Sequence, residues 1–179
     1  MPAHRKYPEV KRIEGSVIVF EAKKDTGDMV EVKVDRGDWE RVRQYNWRVS
    51  RKGYVHGQDY MNGQSRKVLL HRYLMNFPNS QIDHADRDRA NCTKANLRVC
   101  TSSQNNGNRS YAGSSKSGFM GVHFRKDTGK YRVKIVHQGK KHFVGNFDDP
   151  YEAALAYDRK KEELFGEFAY VNFPERRMA

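Results

Sequence analysis

The chain has 179 residues, with 34 Lys+Arg against 22 Asp+Glu and a formal net charge of +12. Aromatics at 12% argue against a wholly disordered chain, no run approaches the ~18 apolar residues of a membrane helix, and the opening MPAHRKYPEVKRIEG lacks the apolar core of a secretory signal. Two cysteines, Cys92 and Cys100, cannot build a disulfide framework or a four-cysteine zinc site, so the composition predicts an intracellular protein whose positive surplus suits a polyanion, nucleic acid before membrane.

Residues 12–35 alternate apolar and polar around the turn-rich Lys24-Asp25-Thr26-Gly27-Asp28, which predicts a β-hairpin. Asp38 is placed to cap a short helix carrying Trp39, Val42 and Tyr45. Strands are expected at 46–50 and 53–60 around Arg51-Lys52-Gly53. The hairpin signal Asn62-Gly63 then leads into Arg66–Leu70 and a short apolar helix from His71 to Met75, stopped by Pro78. Residues 80–110 read as strand, loop, strand, helix. Ile82-Asp83-His84 is followed by a polar loop to Asn96, then by Leu97–Cys100, and Thr101 or Ser102 caps a helix with Gln104 and Asn105. Residues 106–118 are rich in Gly, Ser and Asn, a linker composition. Beyond them, three strands are expected at 120–125, 130–137 and 140–147. Asp149 then caps a helix with Pro150 in first position, Glu152 in the first turn and Gly166 as its stop.

The chemistry concentrates in 80–110. Asp83 and Asn105, if the helix packs across the hairpin, offer two oxygen ligands to one hard cation, and open positions remain for water and phosphate, an arrangement Mg²⁺ favours. His84, neutral near pH 7, suits a general base for water attacking phosphorus. Asp86 and Asp88 suggest a calcium loop, but Ala90 and Leu97 stand where ligands are required, so they read as loop charges. Arg72, Arg98 and Arg109 suit phosphate contacts.

The string Ile82-Asp83-His84 … Asn91 … Asn96-Leu97-Arg98 … Gln104-Asn105 resembles the HNH (ββα-metal) endonucleases, above all the phage and intron homing type. Leu70-His71-Arg72 and Asn46-Trp47 … Gly53-Tyr54 resemble that group's N-terminal part. The resemblance implies that Asp83 and Asn105 ligate the metal, that His84 is the general base, and that Asn96 ties the loop to the hairpin. Where the family often carries Asn-Gly, this chain has Asp86-Arg87.

In 119–147 the alternation puts Tyr131, Val133 and Ile135 on one face and Lys130, Arg132 and Lys134 on the other, with His123 and Arg125 opposite Val122 and Phe124. Basic residues dominate from Arg125 to Lys141 and acids dominate 148–174, so the apolar face is expected to pack on the helix beside Ala153, Ala154 and Ala156. The other face forms a positive ribbon that a major groove accommodates. Gly121-Val122, Gly129-Lys130-Tyr131, Val144-Gly145-Asn146-Phe147, Glu152–Asp158 and Val171-Asn172-Phe173-Pro174 resemble the AP2/ERF DNA-binding domain. That resemblance implies that His123, Arg125, Arg132, Lys134, Lys141 and Phe143 face DNA.

The expected fold is α+β. Residues 1–110 form the nuclease region, with a β-rich part at 12–70 and a ββα core at 80–110. A linker spans 111–118, and a three-stranded antiparallel sheet packed on one helix spans 119–175. The expected function is metal-dependent hydrolysis of double-stranded DNA by a monomer or DNA-induced dimer, with one divalent ion, Mg²⁺, per site. By resemblance it belongs to a phage or mobile element in a bacterial or phage-infected host. The alternative is a non-catalytic DNA-binding regulator whose HNH unit is scaffold only.

Overall fold

The structure is a computed structural model that describes residues 7–61, 64–110 and 116–176. The hairpin tip Asn62-Gly63 and linker residues 111–115 lie outside the described residues. In chain order the elements are β1 (Val10–Glu14), β2 (Val17–Lys24), β3 (Met29–Asp35), α1 (Trp39–Val42), β4 (Arg48–Val49), β5 (Val55–Met61), β6 (Gln64–Leu69), α2 (Leu70–Leu74), β7 (Gln81–His84), β8 (Leu97–Cys100), α3 (Ser102–Gly107), β9 (Val122–Arg125), β10 (Lys130–His137), β11 (Lys140–Phe147) and α4 (Pro150–Phe165). The fold is α+β. The chain divides into two compact units, one ending at Val99 and the other beginning at Cys100.

In the first unit, β2 is the centre of the main sheet. It pairs antiparallel with β3 along one edge, and with β1 (antiparallel) and β4 (parallel) along the other, and the sheet continues through β5 to β6. Phe20, Val32, Val34, Val42, Val55 and Leu70 are fully buried in its core, with Trp47 among them, its indole N–H donating to the Val42 carbonyl at 2.8 Å. β1 extends the expected hairpin by a third strand, reached through a left-handed Gly15.

Asp38 departs from the expectation. Its backbone is already helical (φ −95°, ψ −3°) and its side chain makes no capping bond. The carboxylate is 3% exposed and pairs with Lys94 Nζ at 2.9 Å and Arg41 Nη1 at 3.3 Å. A buried carboxylate gains more from two cations than from the N–H of a four-residue helix.

The loop between β7 and β8 is seated on β3. Lys33 N–H donates to the Ala90 carbonyl at 3.0 Å, Cys92 N–H to the Lys33 carbonyl at 2.8 Å, and Lys94 N–H to Asp35 Oδ2 at 2.7 Å. Cys92 is wholly buried there as a core residue, and burial pushes its thiol up.

The second unit follows its sequence closely. β10 pairs antiparallel with β9 and β11, and α4 covers one face. Asp149 caps α4, accepting from the N–H groups of Tyr151 and Glu152 at 2.8 Å each, with Pro150 at the first position and Gly166 left-handed at the end. Ala153 and Ala154 are fully buried and let the helix approach Val122, Val133 and Ile135. The expected acidic helix surface is short by one member. Asp158 is 7% exposed and accepts from Asn172 N–H (2.9 Å), Asn172 Nδ2 (2.8 Å) and Phe173 N–H (2.9 Å).

Gly121 has φ +75°, and a Cβ there would collide with the Tyr157 ring. Gly121→Ala is therefore expected to destabilise the second unit by ~2–5 kcal/mol, from left-handed strain plus overpacking. Urea unfolding of the full chain followed by near-UV circular dichroism measures it.

Candidate active site

β7 and β8 pair, and Ala85 N–H donates to the Asn96 carbonyl at 2.9 Å where the loop opens. The Asn96 side chain, 7% exposed, closes that loop. Its Nδ2 donates to Asp86 Oδ1 and to the Asn91 carbonyl, both at 2.8 Å, and its Oδ1 accepts from Asp86 N–H at 2.9 Å. Asp86 also accepts from Asp88 N–H (2.8 Å) and Asn91 Nδ2 (2.7 Å), and Asp88 accepts from Ala90 N–H (2.9 Å). The two aspartates are thus loop-building groups that turn the backbone through side-chain hydrogen bonds. Arg87 takes φ +68°, a left-handed backbone that costs a non-glycine residue steric strain.

Asp83 and His84 end β7, 6% and 4% exposed. Adjacent strand residues face opposite ways, and the two side chains have different neighbours. Asp83 Oδ2 accepts from Arg98 Nη2 at 2.5 Å, across the strand pair. The His84 ring stands edge-on to His71, centroids 5.1 Å apart, and 6.3 Å from Tyr54, which also lies 5.6 Å from His71. Arg89 covers the Tyr54 ring at 4.5 Å. Burial pushes the His84 imidazole below its ordinary pKa, against the opposing pull of Asp83, Asp86 and Asp88. Burial, with His84 and Arg72 nearby, pushes His71 down to about 4. Both rings are held as neutral bases.

The remaining sequence candidates are spread between the units. Asn105 lies in the second unit on α3, which Thr101 caps through a reciprocal pair with Gln104. Gly107 ends that helix against Phe165 and accepts from Tyr170 N–H at 3.0 Å. Arg98 is spent on Asp83. Arg72 is spent inside its own turn, donating to the carbonyls of Pro78 and of Ser80, the latter at 3.2 Å. Arg109 is exposed. Sequence reasoning passed over Tyr54 as a member of the imidazole cluster. Its signal was the Gly53-Tyr54 pair, whose role appears only once the fold sets it beside α2.

On the second unit, cross-strand partners share a face. His123 pairs with Arg132, Arg125 with Lys130, Lys134 with Phe143 and Val136 with Lys141. The register slips between Val133 and Lys134, so β11 carries one extra residue, Val144. Strict alternation would set Lys141 and Phe143 on the helix side. The bulge returns both to the basic face, where Phe143 is 59% exposed and stacks under Arg132 at 5.4 Å. Like charges directly opposite one another are costly, and flanking acids offset them here. Arg125 is held in a forked pair with Asp127, its Nε donating at 2.8 Å, and Lys130 pairs with Asp148 at 3.1 Å. Arg125 in turn holds the Asp127 carboxyl down to about 2.

Residues 76–107 match the sequence profile of the HNH endonucleases. Over 153 residues the chain is 31% identical to a protein of Acanthamoeba polyphaga mimivirus described as an uncharacterized HNH endonuclease, an alignment covering 82% of this chain and 75% of that one. The chain belongs to the HNH endonuclease family. No solved structure matches it significantly. Membership makes it a nuclease with DNA as the implied substrate, in a family that generally uses a divalent metal. The relative comes from a giant virus, whereas the sequence suggested a phage or bacterial mobile element. Among the described residues no helix is long and apolar enough to cross a membrane, and no three His, Cys, Asp or Glu side chains cluster as a metal site.

The folded pKa of His71 lies below its unfolded value of 6.5, so the unfolded chain binds the extra proton. Stability is then complete above pH ~6.5 and lost as pH falls toward 4, by about 3 kcal/mol. Urea midpoints across that range should fall more gently in His71→Gln. Arg87→Gly should raise stability by about 1 kcal/mol, because Gly accepts the left-handed backbone without steric cost. Thermal unfolding reads that change.

Proposed function

We propose that this HNH endonuclease is metal-dependent, hydrolyses DNA phosphodiester bonds to 5′-phosphate and 3′-hydroxyl ends, and is directed to its sites by the basic sheet of its second unit. The observation that carries the reading is His84, an imidazole buried at the end of β7 next to Asp83 and packed against His71 and Tyr54. A neutral imidazole takes a proton from water as its oxygen bonds to phosphorus and the bond to the 3′ oxygen breaks, and that oxygen leaves with a proton from solvent. His71 and Tyr54 fix the ring's orientation by packing. Asn96 fixes the loop that follows it.

Asp83 and, by the sequence resemblance, Asn105 are proposed as the metal ligands. The donor chemistry fits a hard divalent ion, with one carboxylate oxygen, one amide oxygen and the remaining positions left to water and phosphate. Asp83 Oδ2 is paired with Arg98 at 2.5 Å, so an ion held by this carboxylate would share or displace that guanidinium. When bound, such an ion supplies Lewis-acid stabilisation of the charge that develops on the phosphate and the leaving oxygen.

The targeting half of the reading rests on the face that bears His123, Arg125, Lys130, Arg132, Lys134, Lys141 and Phe143, and on the resemblance of this unit to AP2/ERF domains. Phosphate neutralisation by the lysines supplies salt-sensitive affinity, and the arginine forks and Phe143 supply contacts to base edges.

Supercoiled plasmid incubated with Mg²⁺ or with EDTA tests the chemistry. Nicking should require the metal and fall at least 100-fold in His84→Ala while mobility-shift binding persists. Binding without cutting under every divalent ion would instead make the protein a regulator. For the sheet, Lys134→Ala and Lys141→Ala should each reduce the slope of log affinity against log salt by about one, with unfolding unchanged. An unaltered slope in both would remove the sheet from the interface.

A further inference from the structure

The connection from α2 to β7 holds two consecutive non-glycine residues in left-handed backbone, Asn76 (φ 56°) and Phe77 (φ 52°). Asparagine tolerates that conformation, but for a bulky side chain it is an outlier with a steric cost. The turn is clamped from both sides. Arg41 Nη2 donates to the Tyr73 carbonyl at 3.0 Å and to Asn76 Oδ1 at 3.1 Å, Arg72 grips the carbonyls of Pro78 and Ser80, and Phe77 N–H donates to the Arg72 carbonyl at 2.7 Å. Strain in a core turn is ordinarily offset by burial of the side chain it positions. Here the Phe77 ring remains 42% exposed, touched edge-on by Tyr73 at 6.1 Å and overlaid by Arg66 at 5.6 Å. The architecture therefore holds an apolar ring out toward solvent at a conformational cost, and such outliers gather at binding sites. Its surroundings are positive. Arg66 of β6 is exposed, while Arg41 and Arg72 are consumed in holding the turn. Phe77 stands six positions before Asp83, at most about 20 Å of fully extended chain.

We propose that Phe77 is a wedge that enters the base stack of the DNA substrate beside the hydrolytic site, with Arg66 on a flanking phosphate. The inference rests on the nuclease reading, which supplies a duplex as the partner. Apolar side chains inserted at a base step unstack it and unwind the helix. A ring fixed in advance by two arginine clamps loses little freedom on entering.

Unwinding is measurable without knowing the target sequence. Full-length protein carrying His84→Ala is incubated with relaxed closed-circular plasmid, Mg²⁺ and a topoisomerase, then removed, and the change in linking number is read on a gel. The parent should leave the plasmid negatively supercoiled. Adding Phe77→Gly should cut that change at least fivefold while mobility-shift affinity falls less than tenfold. Glycine takes φ near 52° freely, so the variant should melt at an equal or higher Tm, and Phe77→Leu should retain most of the unwinding. Binding without any linking change in the parent, or an undiminished change in Phe77→Gly, overturns the wedge alone. A parent that fails to bind plasmid overturns the DNA-directed reading beneath it.

Discussion

The amide of Asn96 makes three hydrogen bonds across the loop that joins β7 to β8, and the placement of Asp83 and His84 depends on them. Each is modest alone, about 1 kcal/mol net, but all are made by a group 7% exposed, where an unsatisfied donor would cost more than the bond is worth. With the loop closed, its backbone bonds to Lys33 and Asp35 lock it onto β3, and β7 can end only where it does. Asp83 is then level with Arg98, and His84 is driven into the pocket of His71 and Tyr54. A polar network that is fully satisfied specifies one geometry, which a greasy loop would not.

The second unit meets a different constraint. One short sheet must bury an apolar face against α4 and show a cationic face to solvent, and β11 cannot do both along a uniform alternation. Phe147 packs inward at one end, with Gly145 opposite buried Val133, while Phe143 and Lys141 face outward at the other. The extra residue Val144 changes phase between the two ends. The charges that crowd the outer face are restrained by Asp127 and Asp148, so the sheet keeps its cations without leaving every one opposed to another.

Much of this was legible in the sequence. The strands and helix of the second unit lie within two residues of their expected limits, because turn glycines, period-two alternation and an Asp-Pro helix start all agree. The short elements of residues 80–107 were readable too: Asp83 and His84 close β7, Asn96 stands just before β8, and Asn105 lies inside α3. What was not legible depended on burial. Asp38, Asp158 and Arg98 look like surface charges in a sequence rich in them, and only the fold shows the partners that take them inside. The bulge was equally hidden, since an inserted Val in a strand looks like any other. The left-handed backbone of Phe77 has no sequence signature, because nothing about a phenylalanine announces it.

Asp158 gives the end of the chain an unexpected weight. Three donors from Asn172 and Phe173 satisfy its carboxylate, and the Asn172 side chain also receives the Met120 N–H at 2.7 Å and gives to the Met120 carbonyl at 3.3 Å. The last described stretch thus bolts the far side of α4 to the entrance of the sheet. A nonsense codon or a protease cut just after Val171 would strand an anion in an apolar interior and release that entrance together. Such a truncation, although it removes no basic residue of the sheet face, would dissolve the platform that presents that face.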